Sequence, residues 1–390
     1  MSSLLIRNAL VIVPGGQIQP GDLLVHDGRI ASIGAPRSIA AAGVDQVVEA
    51  GGRRLSPGLI DIHTHGIMRH LYESGPDGLR AAALELARFG VTTVLPTIVP
   101  QIRDGWIAAL GEIAAAIPSA GGVFIPGLHI EGPFMAVGGA ACPTLPGDVG
   151  LLDELLAACG DRVAAMSISP DTPGIVPVIR RLREKNISVF LTHTRASVGQ
   201  TEAAIEAGAR HATHFYDVFY SPPETDPGVR PVGVVEAVLA DPRVTVDFIA
   251  DGVHAHPAAI RAALAAKSWR GVILITDSNI GAGLPAGTYD TPWGFPINVS
   301  PETAARHATK GTLAGSALTM DRGMDNLLKW LPLPPAQTWA MGTLNPARLL
   351  GLDRKGRIAP GADADLVLWD DDLTAARTWL GGNPVYIKSQ

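Results

Sequence analysis

The chain has 390 residues, of which 47% are apolar and 17% are charged, a composition that fits a folded protein and excludes an intrinsically disordered one. Acidic residues outnumber basic ones by 37 to 31, giving a net charge of -6 without any basic cluster, so we expect no nucleic-acid partner. Cys142 and Cys159 are too few for a disulfide framework, and there is neither a signal-peptide pattern nor an apolar run of ~18 residues, so we expect a cytoplasmic protein without a membrane anchor.

The two ends of the chain both have the pattern of short β-strands. Residues 4–33 contain apolar runs separated by turns at PGG and HDG, which predicts antiparallel hairpins. Residues 356–370, GRIAPGADADLVLWD, predict a short strand, a turn at PGAD and a buried strand. We therefore predict a small β-sandwich domain formed by residues 1–55 together with 352–390.

The middle of the chain alternates between apolar β-type runs and Ala- and Leu-rich helical stretches, which is typical of βα units with a parallel sheet. The count of candidate strands is eight, which closes a (β/α)8 TIM barrel, whereas an open doubly wound sheet more often has five or six and here lacks a G-x-G-x-x-G sequence after its first strand. We therefore predict an α/β fold with a barrel over residues 56–351. The candidate strands are 59–63, 91–97, 123–131, 163–169, 187–193, 210–214, 244–250 and 272–277.

Five of the eight predicted strands end in residues that can bind a metal ion or transfer a proton. The carboxyl ends of barrel strands share one mouth, where such folds carry their catalytic groups. His63 and His65 are two residues apart, so on a strand they project to the same face, where two imidazoles can bind one cation. The full set of candidates is His63, His65, Glu131, His193, His214 and Asp277.

This set of imidazole and carboxylate ligands suits Zn²⁺ or Fe²⁺ and not Mg²⁺ or Ca²⁺, and it leaves open whether one ion or two bind. Water bound to such an ion has a pKa of ~7, and Asp277 is suited to act as its general base and then as an acid. His254 follows the seventh predicted strand at the same mouth, where we expect it to bind substrate.

A structural role is the commoner one for a single histidine, and we expect it for His211, His256 and His307. The histidine pair at 63 and 65 would also be weak support for a metal site if it stood alone. The six candidate residues taken together give stronger support for a metal site, because burying so many ionisable groups without an ion would cost several kcal/mol for each group. The pattern therefore favours a metal centre.

Several motifs of the chain resemble the amidohydrolase superfamily and, within it, the N-acetylglucosamine-6-phosphate deacetylases. The resemblance covers essentially the full length, and HxEGPF is fairly specific to this branch. The motifs are PGLIDIHTHG (57–66), HIEGPF (129–134), LTH (191–193), ATHFYD (212–217), ADGVH (250–254), ITD (275–277) and LPAGTYD (284–290).

The resemblance implies metal ligation by Glu131, His193 and His214, with His63 and His65 available for a second or alternative ion. It also implies Asp277 as the acid and base and His254 as a substrate contact. The implied reaction is attack of metal-bound hydroxide on an acetyl carbonyl, followed by protonation of the departing amine. A homodimer is implied as well, and this is the commonest soluble oligomer.

The sequence departs from the deacetylases mainly where they bind the sugar phosphate. The histidine with which they bind the sugar phosphate corresponds to Cys142 in this chain. They also carry an arginine that binds the phosphate in the neighbouring subunit, and the corresponding region here reads ETDPG at 224–228. Where the deacetylases usually have an asparagine, this chain has Asp217. The loop after HTHG, which is glycine-rich in the deacetylases, reads IMRH at 67–70. Each lost charge-assisted hydrogen bond should cost roughly 1.5–3 kcal/mol, so the phosphate preference stays open, with Arg69, His70 and Arg230 as candidate replacements. The predicted substrate-binding residues are His254, Asp217, Cys142, Val218 and His70.

Three functions are compatible with these observations. The first is a metal-dependent deacetylase of an N-acetyl amino sugar, and the second is an amidohydrolase for another N-acyl or cyclic amide, or an aminohydrolase, which release of acetate or of ammonia distinguishes. The third is a non-catalytic barrel scaffold, which is disfavoured because the chain keeps all of the candidate ligands together with Asp277. For the first two, the expected partner is a small-molecule substrate.

Overall fold

The computed structural model describes residues 3–139, 142–300 and 304–389. Strands β1 to β3 form the predicted antiparallel hairpins, and β4 and β5 pair in parallel with successive parts of β1. The turn between β2 and β3 is tight because Asp27 and Gly28 both take left-handed backbone angles, with φ of 49° and 75°. The strands of this segment are β1 (Ser3–Ile12), β2 (Ile18–His26), β3 (Arg29–Gly34), β4 (Gln46–Glu49) and β5 (Arg54–Pro57).

The eight predicted central strands form one parallel sheet in which neighbours in sequence are neighbours in space. The third strand is shorter than predicted: Pro126 and Gly127 interrupt it, and Phe124 retains only an isolated bridge to Thr93. A small hairpin, β7 and β8, follows the first of them. The strands are β6 (Leu59–Thr64), β7 (Gly66–Ile67), β8 (His70–Leu71), β9 (Val91–Ile98), β10 (Leu128–Glu131), β11 (Val163–Ile168), β12 (Ser188–Leu191), β13 (His211–Ala212), β14 (Thr245–Ile249) and β15 (Val272–Ile275).

The barrel closes where its first strand, β6, meets its last, β15. The backbone N–H of Asp277 donates to the carbonyl of His63 at 2.8 Å, and Oγ1 of Thr276 donates to Oδ2 of Asp61 at 2.6 Å. This seam brings the ends of the first and eighth strands together, and with them the predicted site residues His63 and Asp277.

Each barrel strand is followed by a helix, which confirms the (β/α)8 TIM barrel. Local capping fixes several helix starts: the Asp148 side chain accepts from the backbone N–H of Gly150 and Leu151, and Ser197 forms a capping box with Gln200. Within the described residues, no helix has both the length and the apolar character needed to cross a bilayer. The helices are α1 (Pro76–Leu86), α2 (Trp106–Ala116), α3 (Val149–Cys159), α4 (Ile175–Glu184), α5 (Val198–Ala207), α6 (Val234–Ala240), α7 (Pro257–Lys267), α8 (Met320–Trp330), α9 (Pro335–Met341) and α10 (Leu344–Leu349).

A four-stranded antiparallel sheet between β15 and α8 was not among the predicted elements. It packs through Ile297 and Val299 against Leu71 of the hairpin and Ile280. Its strands are β16 (Gly287–Tyr289), β17 (Ile297–Val299), β18 (Ala304–His307) and β19 (Leu313–Ser316). The connection from β16 to β17 extends to the mouth of the barrel.

The two chain ends pair with each other as predicted, because β20 lies antiparallel to β5 in the small β-sandwich domain. The short strand expected near residue 357 was wrong: Gly356 is left-handed with φ of 66° and Pro360 lacks an N–H, so Ile358 enters the apolar core without joining a strand. The last strands are β20 (Leu366–Trp369), β21 (Ala375–Leu380) and β22 (Asn383–Ile387).

Strand β20 joins the small domain to the barrel because its side chains alternate between two cores. Leu366 and Leu368 pack inside the small domain, whereas Val367 and Trp369 pack with the barrel residues. Nε1 of Trp369 donates to Oγ of Ser56 at 2.8 Å. The predicted domain limits, 1–55 with 352–390 and 56–351, stay a prediction.

Candidate metal centre and substrate cavity

The structure brings all five predicted metal ligands together at the mouth of the barrel, around Glu131 at the end of β10. Oε2 of Glu131 lies 3.4 Å from Nε2 of His65 and 3.7 Å from Nε2 of His63. Its Oε1 lies 3.3 Å from Nε2 of both His193 and His214. Two groups of ligand atoms result, each within 4.8 Å, and they share Glu131.

The backbone is strained at three of the converging residues. His193, His214 and Asp277 take left-handed φ angles of 46°, 36° and 49°, which residues with a Cβ rarely adopt. Each such residue costs about 1–3 kcal/mol, and such strain is concentrated at functional sites. All three positions follow the end of a barrel strand, where the turn directs the side chain into the mouth.

Hydrogen bonds on the far side of the imidazoles fix their tautomers. Nδ1 of His193 faces the carbonyl of Val137 at 3.2 Å, and Nδ1 of His214 faces the carbonyl of Asp217 at 3.2 Å. A carbonyl can only accept, so each Nδ1 carries a hydrogen, and Nε2, which faces Glu131, is the nitrogen of each ring that can bind a metal ion. Nε2 of His63 is buried and has no hydrogen-bond partner among the described residues. These nitrogen atoms and the Glu131 oxygens fit a divalent cation, which could bind them all as ligands.

The charges of the cluster are strongly coupled. Burial opposes the charged form of each group, yet the charge and hydrogen bond of Glu131 raise the pKa of His214 to about 10, and those of Asp277 raise the pKa of His65 to about 9. Burial likewise opposes ionisation of Glu131 and Asp277, but the imidazoles around them, His63 foremost, hold both pKa values well below the usual range. Both carboxylates therefore require positive charge beside them, which a divalent cation can supply.

Asp277 lies beside both parts of the HTH motif. Its Oδ1 is 3.2 Å from Nε2 of His65 and 3.5 Å from Nε2 of His63, and only 7% of the residue is exposed. This is the position in which a general base can reach water held at the ligands.

The metal centre forms the floor of a cavity of about 770 Å³, a volume within the range of small-molecule sites. His254 lines it, and its Nδ1 lies 2.6 Å from Oδ2 of Asp251, whose hydrogen bond outweighs burial and raises the pKa of His254. The other predicted substrate-binding residues in the lining are Asp217, Cys142 and Val218.

Two of the predicted substrate-binding residues, His70 and Cys142, differ in their relation to the cavity. The described lining does not include His70, which pairs with Ile67 in the hairpin of β7 and β8, and its contact with substrate stays a prediction. Cys142 does line the cavity. Burial raises the pKa of its thiol well above the usual value, so the side chain is neutral there, and a thiol has no cationic form that could replace a histidine.

Several lining residues were missed in the sequence. Arg103, in the loop after β9, is the only arginine or lysine among the described lining residues. Nε1 of Trp293 donates to Glu73 at 2.6 Å, and Nδ2 of Asn279 donates to the carbonyl of Ala314 at 2.6 Å. Nothing in local spacing identifies them, because loops and the unpredicted sheet bring them to the cavity.

The histidines expected to be structural lie outside the cavity lining as described. Nδ1 of His256 accepts from the backbone N–H of Ala258 and caps α7, and Nδ1 of His307 accepts from the N–H of Thr309 and Lys310 in a turn. His211 is fully buried below the metal centre and hydrogen-bonded to Asp247.

Comparisons with known proteins match this architecture over nearly the whole chain. It is 31% identical over 386 residues to the N-acetylglucosamine-6-phosphate deacetylase of Lysinibacillus sphaericus, with 97% of each chain covered. It is 32% identical over 384 residues to the N-acetylgalactosamine-6-phosphate deacetylase of a strain of Escherichia coli, with 97% of this chain and 98% of the relative covered.

Among solved structures, an aspartate-to-alanine mutant of the N-acetyl-D-glucosamine-6-phosphate deacetylase of Mycobacterium smegmatis, in complex with N-acetyl-D-glucosamine-6-phosphate, superposes with a TM-score of 0.86. It is 28% identical, and all of both chains is covered. The model of the amidohydrolase family matches residues 54–386. On these grounds, together with its barrel and its cluster of histidines and acids, the chain belongs to the amidohydrolase family.

Proposed function

We propose that the protein is a metal-dependent deacetylase that hydrolyses the acetamide of an N-acetyl amino sugar 6-phosphate. The observation that carries this proposal is the convergence of Glu131, His193 and His214 with Asp277 on the floor of one substrate-sized cavity. The relatives named for the 6-phosphates of two N-acetylhexosamines support the substrate class, since each aligns with almost all of this chain.

Glu131, His193 and His214 would hold the metal ion, and His63 and His65 would complete a second position with Glu131. Nitrogen and carboxylate donors of this kind favour Zn²⁺ or Fe²⁺. When bound, the ion would act as a Lewis acid on the amide and make water a nucleophile at neutral pH.

The protein's own groups carry the proton and hold the sugar. Asp277 takes a proton from the attacking water as the carbon–oxygen bond forms, and it returns this proton to the nitrogen as the carbon–nitrogen bond breaks, so that acetate and the free amine leave. His254, held by Asp251, reaches the same cavity and hydrogen-bonds the substrate.

Arg103 is the best-placed cation for the sugar phosphate. The residues predicted to compensate for the lost phosphate partners lie elsewhere: Arg69 stacks 5.2 Å from the ring centre of Tyr289, and Arg230 pairs with Glu236 at 2.5 Å. Because the other charged side chains of the described lining are acids or histidines, the guanidinium of Arg103 would provide the fork that binds phosphate oxygens.

Replacing Arg103 with glutamine should raise KM for the phosphorylated sugar by roughly 10- to 150-fold, the loss expected for one charge-assisted hydrogen bond, and leave turnover of the unphosphorylated sugar unchanged. Steady-state kinetics on both sugars measures this. Arg270→Gln is the matched control, because Arg270 stacks on Trp269 before β15, at the opposite end of the barrel. Equal changes for both sugars would refute the phosphate role.

The decisive experiment is acetate release by the purified, metal-replete protein from N-acetylglucosamine, N-acetylgalactosamine and their 6-phosphates. We expect the phosphorylated sugars to be turned over faster. Absence of acetate from all four would reject the proposal, and ammonia release from another substrate would indicate an aminohydrolase.

We also propose that the protein is a cytoplasmic homodimer. The shortage of cysteines supports the compartment, and the common two-fold symmetry of soluble oligomers supports the dimer. Sedimentation as a monomer would reject the second part.

A further inference from the structure

A buried polar network lies directly beneath the metal centre, centred on Asp247 in the middle of β14. Asp247 is fully buried, and its Oδ2 accepts from Oγ1 of Thr213 at 2.9 Å and faces Nε2 of His211 at 2.7 Å. Its Oδ1 accepts from the backbone N–H of His214. Oγ1 of Thr213 lies in turn 3.1 Å from Nδ1 of His63.

The number of hydrogens in this network determines that Nδ1 of His63 carries one. A threonine hydroxyl has one hydrogen, and Thr213 donates it to Asp247. Towards His63, Thr213 can therefore only accept, so Nδ1 of His63 carries the hydrogen. Nε2 is then the ring nitrogen left to bind a metal ion; it faces Glu131 and Asp277 and has no hydrogen-bond partner among the described residues.

Asp247 also acts on the second group of ligands. The backbone N–H that it binds belongs to His214, whose φ of 36° is a strained conformation that the surroundings must hold in place. One carboxyl group thus fixes a side chain in the group of His63, His65 and Glu131, and the backbone of a residue in the group of Glu131, His193 and His214.

We propose that Asp247 is a positioning residue for the whole metal centre, acting on His63 through Thr213 and on His214 directly. The inference rests on the metal ligands put forward under the proposed function. Outer hydrogen bonds of this kind orient ligands, and their loss typically weakens metal binding by about 10- to 100-fold. A network that served only the barrel core would affect stability and leave metal affinity alone.

Co²⁺ binding to the metal-free, full-length protein distinguishes these cases, because its visible absorption reports coordination and a competing chelator gives each dissociation constant. Thr213→Val keeps the shape of the side chain and removes the hydroxyl. We expect this variant to bind one of the two Co²⁺ ions about 10- to 100-fold more weakly and to bind the other with unchanged affinity. Thr213→Ser, which retains the hydroxyl, should restore binding.

Thr338→Val is the matched control, because Thr338 is equally buried and its hydroxyl has no hydrogen-bond partner in the described part of the chain. Asp247→Asn should weaken every equivalent that binds, since both groups of ligands depend on Asp247. The melting temperature of each metal-free variant shows whether it is folded.

Two results would overturn the inference and are distinguishable. If wild-type protein binds Co²⁺ and both Thr213→Val and Asp247→Asn bind it within about twofold of Thr338→Val, the positioning role is wrong while the proposed metal centre stands. If wild-type protein binds no Co²⁺ at all, the metal ligands themselves are wrong and the proposed function fails with them.

Discussion

Replacing Asp277 with asparagine should lower kcat by about 10²- to 10⁴-fold and change KM little. The amide has the shape of the carboxyl group, but it cannot take a proton from water or return one to the leaving nitrogen. Binding at Glu131, His193 and His214 should persist, because Asp277 is not a member of that group. Steady-state kinetics with saturating metal measures the change, and elemental analysis confirms that the metal is still bound.

The matched control for this variant is Asp321→Asn. Asp321 is as deeply buried as Asp277, with 8% exposed against 7%, but it lies in the first turn of α8 and outside the described cavity lining. Its kcat should stay within about twofold of wild type, as for most substitutions away from the reacting groups. An Asp277→Asn enzyme that retained more than about a tenth of the wild-type kcat would exclude Asp277 as the proton carrier.

Replacing Glu131 with glutamine should remove metal from both positions, because each group of ligand atoms contains this one carboxylate. Without the Lewis acid the reaction loses several kcal/mol of transition-state stabilisation, so we expect activity to fall about 10³-fold or more. Metal content after dialysis, measured by inductively coupled plasma mass spectrometry, should fall with the activity.

His193→Gln provides the comparison that makes this result specific. His193 belongs to only one of the two groups, so this variant should lose that position and keep the one formed by His63, His65 and Glu131. Because removal of a buried charge can unfold a protein, circular dichroism of both variants shows whether the loss of metal is local. Full metal occupancy in Glu131→Gln would mean that the carboxylate is not a ligand.

Much of this architecture could be predicted because each strand of a parallel barrel has a recognisable local sequence pattern. Parallel strands buried on both faces are near-continuous apolar runs, as in VILI before Thr276. The polar residue that ends such a run must lie at the mouth, so His193, His214 and Asp277 could be placed together from their positions alone.

Part of the substrate side could not be predicted in the same way, because loops determine it. Arg103 reaches the cavity through the path of the loop after β9, and His70, whose loop folds into a hairpin, is not among the described lining residues. The sheet containing β17 depends on packing of Ile297 against Ile280 and not on strong local propensity, which is why the sequence did not reveal it.

The pairing of β5 with β20 imposes an order on biosynthesis. The ribosome delivers β5 about 300 residues before its partner, and at 5–20 residues per second β5 waits about 15–60 s for it. During that interval the apolar side of Leu55, fully buried in the finished molecule, has no cover from Leu366 or Leu368. The small domain can therefore complete its apolar core only after the final strands emerge from the ribosome.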